Sequence, residues 1–455
     1  MAEFDLVVLG GGSGGYACAL RGAQLGLSVV LIEVDKLGGT CLHRGCIPTK
    51  ALLHAGEIAD NTRDSAHYGV ISHFDGMDMN AVNAYKDGIV SRLHKGLQGL
   101  IKSRNITYVQ GHGRLVSPNT VEANGEKYIG KNVVLATGSY ARTLPGLEID
   151  GKRIITSDHA LTLDYIPKTV IVLGGGVIGC EFASVWKSFG ADVTIIEALP
   201  HLVALEDESS SKLLERAFRK RGINFELGTR FQSATVSDQS VKVTLENGKE
   251  FNADLLLVAV GRGPVSANLG YAEQGITMDR GFVMVDDKCR TNISGIWAVG
   301  DLIPTLQLAH VGFAEGILVA EEIAGLDPRP INYDGVPRVT YSDPEVASVG
   351  LTSARAKELG HDIIEVSYDL AGNGKAQILG TAGAVKLVSQ KGGPVLGIHM
   401  VGARVGELVS EAQLIFNWEA SAEDVAPLIH PHPTLSEALG EAHMALAGKP
   451  LHAHG

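Results

Sequence analysis

"DLVVLGGGSGGYACALRGAQLGLSVVLIE" spans Asp5–Glu33, and "TVIVLGGGVIGCEFASVWKSFGADVTIIE" spans Thr169–Glu197. Each opens on an apolar, largely β-branched run, turns through a glycine cluster, continues in an Ala-rich helical pattern and ends on a second apolar run closed by Glu. The copies are in step: Gly10, Gly12, Gly15 and Glu33 recur 164 residues later as Gly174, Gly176, Gly179 and Glu197. In a strand–turn–helix–strand unit the first glycine makes the tight turn. The second lets the backbone approach a pyrophosphate, and the third lets helix and strand pack closely. The helix N-terminus faces the phosphates and the terminal acid takes the ribose hydroxyls. One such motif is weak evidence; two with identical internal spacing predict two dinucleotide sites. Glu197, followed by Ala198, Leu199 and Pro200 with no Arg, predicts NAD rather than NADP at the second.

Outward from these repeats, 455 residues exceed one ordinary core and predict several domains. The expected class is α/β, with two Rossmann-like dinucleotide-binding domains and an α+β C-terminal domain beginning near Tyr333. Between the repeats, Met79–Arg104 reads as an amphipathic helix and Ile106–Val134 as a hairpin-like region. "VVLATGS" (Val133–Ser139), "LLLVAVGR" (Leu255–Arg262) and "GIWAVGDL" (Gly295–Leu302) are buried-strand runs ending in glycine turns, where α/β sheets meet ligands. The final "GKPLHAHG" reads as a frayed tail whose two histidines are not expected to hold a metal. A net charge of −12 argues against nucleic-acid binding and suits solubility or the steering of a basic protein partner. No apolar run is long enough to span a membrane, and the N-terminus carries acids where a signal peptide carries positive charge. The expected compartment is cytoplasmic.

"GGTCLHRGCIPTK" (Gly38–Lys50) holds two of the five cysteines, Cys41 and Cys46. A structural zinc site needs four ligands, usually with tighter spacing and a second half-site. Cys18, Cys180 and Cys289 stand singly in helix or strand patterns, as buried packing residues. A staple closing so short a loop gains little, and a reducing compartment opposes it. A reversible dithiol/disulfide is what remains. Cys46 stands just before a helix start with Pro48 in its first turn, where a helix N-terminus and Lys50 favour a thiolate. "HPHPTLSE" supplies His432 with Glu437 five residues on, a base with a carboxylate to fix its tautomer; His430 reads as its neighbour.

Together with "ATGS", "AVGDL", "LAHVGFAEG" and "HPHPTLSEALGEAH", these residues resemble the flavin disulfide reductases over essentially the whole chain. In combination they are similar to the members that oxidise dihydrolipoamide. The resemblance implies FAD at the first repeat, with contacts from Gly10, Gly12, Gly15, Glu33, Thr40, Lys50, Gly113, Thr137, Gly138, Ser139, Asp301, Ala309 and His310. It implies NAD at Gly174, Gly176, Gly179, Glu197 and Gly261. It makes Cys46 the thiol against the flavin, Cys41 the thiol that exchanges with substrate, Glu181 the partner of Lys50, and His432–Glu437 the base, given across a homodimer. It divides the chain into an FAD-binding domain (1–143), an NAD-binding domain (144–263), a continuation of the FAD domain (264–332) and an interface domain (333–455). The implied partner is a lipoyl-bearing acyltransferase or glycine-cleavage carrier protein. Glutathione reductase would want basic residues after the second repeat, and mercuric reductase an extra C-terminal cysteine pair; neither is present. A flavin transhydrogenase or quinone reductase would not need the cysteine pair. A catalytically silent assembly subunit would not need the intact Cys, Lys, His and Glu positions.

Overall fold

A computed structural model describes residues 2–452 of the chain. Two compact units are present, one comprising the residues up to Ala51 with Asn80–Arg142 and Gly261–Tyr333, the other Leu52–Met79, Thr143–Val260 and the residues from Asp334 on.

The first unit is built on Ala2–Leu9, which pairs in parallel with Val29–Glu33 on one side and with Glu126–Leu135 on the other. Thr107–Gln110 extends the parallel sheet beyond Val29–Glu33. The long strand Glu126–Leu135 changes partner along its length: its first half pairs antiparallel with Thr120–Ala123, its second half parallel with Ile296–Ala298. Val29–Glu33 is buried at every position, which is why the sequence there is a continuous apolar run rather than an alternating one. The expected hairpin region is therefore divided. Thr107–Gln110 joins the parallel sheet, and only Gly113–Ser117, Thr120–Ala123 and Glu126–Leu135 form an antiparallel meander. The amphipathic stretch forms the helix Met79–Ser103.

Helix Ser13–Gln24 follows the first glycine turn and lies on helix Ala309–Ile323. A Cβ added at Gly316 would stand 2.2 Å from Gly14 O and 2.9 Å from Cys18 N, and one at Gly312 would stand 3.2 Å from Gly14 N. Residues 13–14 thus meet Gly312 and residues 14–18 meet Gly316, so the helices run the same way with their N-termini side by side.

The second unit repeats the plan and adds to it. Asn224–Leu227, Asp192–Glu197, Thr169–Leu173, Leu255–Val258 and Ile154–Thr156 form, in that order, an all-parallel sheet. A three-stranded antiparallel sheet (Phe231–Val236, Val241–Leu245, Glu250–Ala253) accompanies it. Past Asp334 comes a five-stranded antiparallel sheet. Helices Val405–Asn417 and Glu437–Leu446 share one core with it through Val409, Ala412, Ala438 and Leu439 against Val349, Leu387, Ile398 and Met400. The ion pair of half-buried Lys386 with buried Asp207 ties that sheet to the helix following the second repeat. Burial works against the Asp207 charge, but Ser209, the Ser353 N–H and Lys386 hold its carboxyl well below the usual range.

No helix among the described residues is long and apolar enough to cross a membrane. Cys18, Cys180 and Cys289 are buried, as their solitary placement in apolar patterns implied. The expected frayed tail is corrected as far as His452, whose N–H and Nδ1 engage Glu441 at 3.1 and 2.7 Å; His454 lies outside the described residues.

Two glycine substitutions separate packing from propensity. Gly316→Ala forces backbone off backbone between the paired helices and should cost roughly 2–4 kcal/mol. Gly96→Ala, whose Cβ meets nothing within 4 Å on helix Met79–Ser103, should gain about 0.5–1 kcal/mol. Thermal melts of the purified protein check both.

Candidate active site

The two glycine turns are built alike. Gly10 and Gly174 adopt φ of +109° and +110°, open only to glycine, and their added Cβ atoms would stand 2.2 and 2.3 Å from the carbonyls of Ala136 and Ala259. At Gly15 and Gly179 a Cβ would meet the carbonyl of Gly10 or Gly174 at 1.8 or 1.9 Å. Gly12 and Gly176 differ from these. Their backbones are ordinary extended ones, and an added Cβ meets nothing nearer than 3.9 Å at Gly12 and nothing within 4 Å at Gly176. The chain itself does not require glycine at these two positions; a group that must approach the backbone does. A dinucleotide pyrophosphate at each helix N-terminus fits that requirement.

The terminal acids also match. Glu33 accepts from Gly11 N at 2.6 Å and Asp35 N at 2.8 Å; Glu197 accepts from Gly175 N at 2.6 Å and Leu199 N at 2.8 Å. Each carboxylate is locked to its own glycine turn while keeping acceptor sites for ribose hydroxyls.

In the first unit the cysteine loop is fastened to the glycine turn. Gly38 N–H donates to Gly11 O at 2.8 Å, and Gly39, at φ +56°, comes so close that a Cβ would stand 2.7 Å from Gly12 Cα. Thr40 and Cys41 lie on a short helix, Gly39–Arg44, which the sequence pattern does not announce. Gly45 ends it, and the helix Cys46–Arg63 begins at Cys46 itself rather than just after it. Thr49 Oγ1 donates to Gly45 O at 2.7 Å and fixes that corner. Cys41 is hydrogen-bonded to Cys46; that bond, burial and the neighbouring sulfur's charge push the Cys41 thiol far up, against the pull of Lys50. Burial and both sulfurs push Tyr16 up to about 12. Tyr16, Cys41, Cys46 and Lys50 therefore form one electrostatic cluster beside the glycine turn.

In the second unit His432 Nδ1 meets Glu437 Oε1 at 2.9 Å, and Thr434 N–H donates to the other carboxylate oxygen at 2.7 Å. Burial opposes the charge of Glu437, yet Thr434 and His432 hold its carboxyl below the usual range. The His432 side chain is 79% exposed, so its Nε2 side is open to a substrate. Glu181 accepts from Tyr341 N–H at 3.0 Å.

A family model described as "Pyridine nucleotide-disulphide oxidoreductase" matches residues 4–316, and that family's dimerisation domain matches residues 336–443. The chain belongs to this family. It is 41% identical to a dihydrolipoyl dehydrogenase of Bacillus subtilis, over 99% of both chains. It is 40% identical to a mitochondrial dihydrolipoyl dehydrogenase of Pisum sativum, over 99% of this chain and 93% of that one. Among solved structures, LpdA from Mycobacterium tuberculosis superposes with a TM-score of 0.91 at 26% identity, covering 98% of this chain and all of that one. This oxidoreductase is thus a flavoprotein with FAD and NAD as cofactors and a redox-active disulfide, and its C-terminal segment is a homodimer's dimerisation domain.

Four more of the expected contacts, Thr137, Gly138, Ser139 and Asp301, meet in the first unit. Ser139 donates to Asp301 at 2.5 Å, and Arg262, absent from the expected site residues, donates from Nε to Ser139 Oγ at 2.7 Å and from Nη2 to Ser139 O at 2.9 Å. Thr137 donates to Val265 O at 2.6 Å, and Val265 N–H to Gly138 O at 2.9 Å. Ala309 and His310 open helix Ala309–Ile323 beside the N-terminus of Ser13–Gln24, so two helix dipoles converge where the first pyrophosphate would lie. Gly113 is buried and packs, its added Cβ falling 2.4 Å from Leu9 Cδ1. Gly261 begins the segment counted with the first unit, at φ +107°.

Glu315, inside "LAHVGFAEG", is the other residue missed. Wholly buried, it accepts from Gly300 N at 2.6 Å, Thr305 Oγ1 at 2.8 Å and Tyr333 OH at 3.0 Å, and so holds the Gly300–Asp301 turn. Burial pushes its carboxyl up to about 7 despite these donors. With the folded value raised, its contribution is fully present below the ordinary carboxylate range and is lost as pH rises through about 7. Glu315→Gln should therefore remove roughly 3 kcal/mol of the stability lost between pH 4.5 and 8. Melts across that range check it. Gly176→Ala should leave the stability within about 1 kcal/mol of wild type, read by thermal melts, while weakening NADH binding at least about tenfold, read by titration.

Proposed function

We propose that this oxidoreductase reoxidises protein-bound dihydrolipoyl groups to lipoyl groups, passing two electrons through Cys41–Cys46 and FAD to NAD⁺. The observation that carries the reading is the Cys41–Cys46 contact on a loop hydrogen-bonded to the first glycine turn. Bound FAD supplies a two-electron carrier between a dithiol and a nicotinamide.

The chain's own residues do the rest. His432, its tautomer fixed by Glu437, accepts a proton from one substrate thiol. The resulting thiolate attacks the Cys41 sulfur, the Cys41–Cys46 bond breaks, and Cys46 leaves as thiolate. The second substrate thiol displaces Cys41 and closes the lipoyl disulfide, its proton passing to the departing Cys41 sulfur, so one proton ends on His432 and the other on Cys41. The substrate has lost two electrons and two protons, and the cysteine pair has gained the electrons. Because each sulfur opposes a charge on the other, the reduced pair holds one thiolate. The helix N-terminus at Cys46 is where that charge is best held, which leaves Cys41 free to exchange.

The residue roles named from the resemblance are carried over as parts of this proposal. Lys50 with Glu181 as its counter-charge sits by the flavin, Glu33 takes the FAD ribose, and Glu197 and Gly261 lie on the NAD side. So is the four-segment division at 143/144, 263/264 and 332/333. The proposed compartment is the cytoplasm, and the proposed partner a lipoyl-bearing acyltransferase or glycine-cleavage carrier protein.

Cys46→Ser should lower NAD⁺ reduction by dihydrolipoamide by at least about a thousandfold. His432→Gln should lower it by about 10²–10⁴-fold. Undiminished turnover in the Cys46 variant would end this reading.

A further inference from the structure

Behind the His432–Glu437 dyad lies a second histidine–carboxylate pair. His430 Nε2 meets Glu411 Oε1, on helix Val405–Asn417, at 2.7 Å, and the His430 side chain is only 11% exposed. Its ring lies against helix Glu437–Leu446 at Gly440, where an added Cβ would fall 2.6 Å from His430 Nδ1. Gly440 is three residues beyond Glu437, so the ring sits one turn from that carboxylate on the same helix face. His443 also faces Glu411, but it is wholly buried; its Nδ1 is bonded to Leu439 O at 2.6 Å and its Nε2 has no partner. Burial lowers its basicity, so it is held neutral and the cation belongs to His430.

Resting on the assignment of His432 as base, we infer that His430, paired with Glu411, is a positioning residue. It stands beside Glu437, one turn along the same helix face, and sets how far down in pH the His432–Glu437 dyad stays assembled. The charges facing His430 agree with this. Glu411 raises its basicity against burial, the Leu428 carbonyl and Glu437 add in the same sense, and the His430 charge in turn helps keep Glu437 ionised. A cation there favours the carboxylate form of Glu437 and so keeps the His432–Glu437 hydrogen bond intact to lower pH. Gly440 is the concession in the helix that admits the ring.

The test is the pH profile of kcat/KM for dihydrolipoamide with the dimeric holoenzyme. His430→Gln removes the cation and leaves the Glu411 anion, so the acid limb should move up by roughly half a pH unit, about a threefold loss at a fixed pH on that limb. His430→Lys keeps the charge and should bring the limb back toward wild type. A His430→Gln limb superimposed on wild type, or a Lys variant no different from the Gln variant, overturns the inference. His432→Gln, run alongside, separates the two claims. If it abolishes turnover while the His430→Gln limb stays put, only the role of His430 falls. If it keeps the full rate, the base assignment and the inference fall together.

Discussion

A single backbone hydrogen bond, from Gly38 N–H to Gly11 O at 2.8 Å, fixes the relation between the nucleotide turn and the cysteine loop. The approach is possible only because Gly39 carries no side chain where it meets the Gly12 backbone. Once that contact is made, Cys41 and Cys46 have no freedom to drift from the turn. The short helix Gly39–Arg44 and the start of Cys46–Arg63 then bring the two sulfurs within hydrogen-bond reach of each other. Moving electrons between a disulfide and a bound ring requires such a fixed spacing, because exchange and transfer both fall steeply when reacting atoms are misplaced.

The internal duplication shows how one device serves two ends. Both copies use the same strand register, the same positive-φ glycine and the same carboxylate bonded back to its own turn. The copies part company just beyond that carboxylate. After Glu33 the chain turns at once into the cysteine loop, with Gly38 coming back to the turn. After Glu197 it bends through Leu199 and Pro200 and enters the helix Glu208–Lys220, bringing no thiol. The second copy is therefore a plain dinucleotide holder and the first a holder with a reactive pair attached.

The parts legible in the sequence were those coded by short spacing. The glycine positions, the acid 18 residues on, the paired cysteines and His432 with Glu437 are all local patterns with a physical reason for each residue. The parts not legible are assembled from segments far apart. Arg262 matters because it reaches Ser139 across 123 residues, and Glu315 because Gly300, Thr305 and Tyr333 all turn toward it. His430 looked like a mere neighbour of His432 until Glu411, on another helix, closed on it. The tail at His452 read as frayed because nothing in eight residues announces that Glu441 will hold it. Gly113 shows the opposite limit: its glycine is explained by contact with Leu9, whichever ligand its backbone meets.

Differential alkylation with mass-spectrometric mapping of the purified holoenzyme tests the central claim most directly. Before reduction, Cys41 and Cys46 should be found joined and unreactive. After anaerobic addition of dihydrolipoamide both should be alkylated, and adding NAD⁺ before the alkylating reagent should protect them again, with buried Cys18, Cys180 and Cys289 unlabelled throughout. Labelling of Cys41 and Cys46 that does not respond to dihydrolipoamide and NAD⁺ would contradict the account.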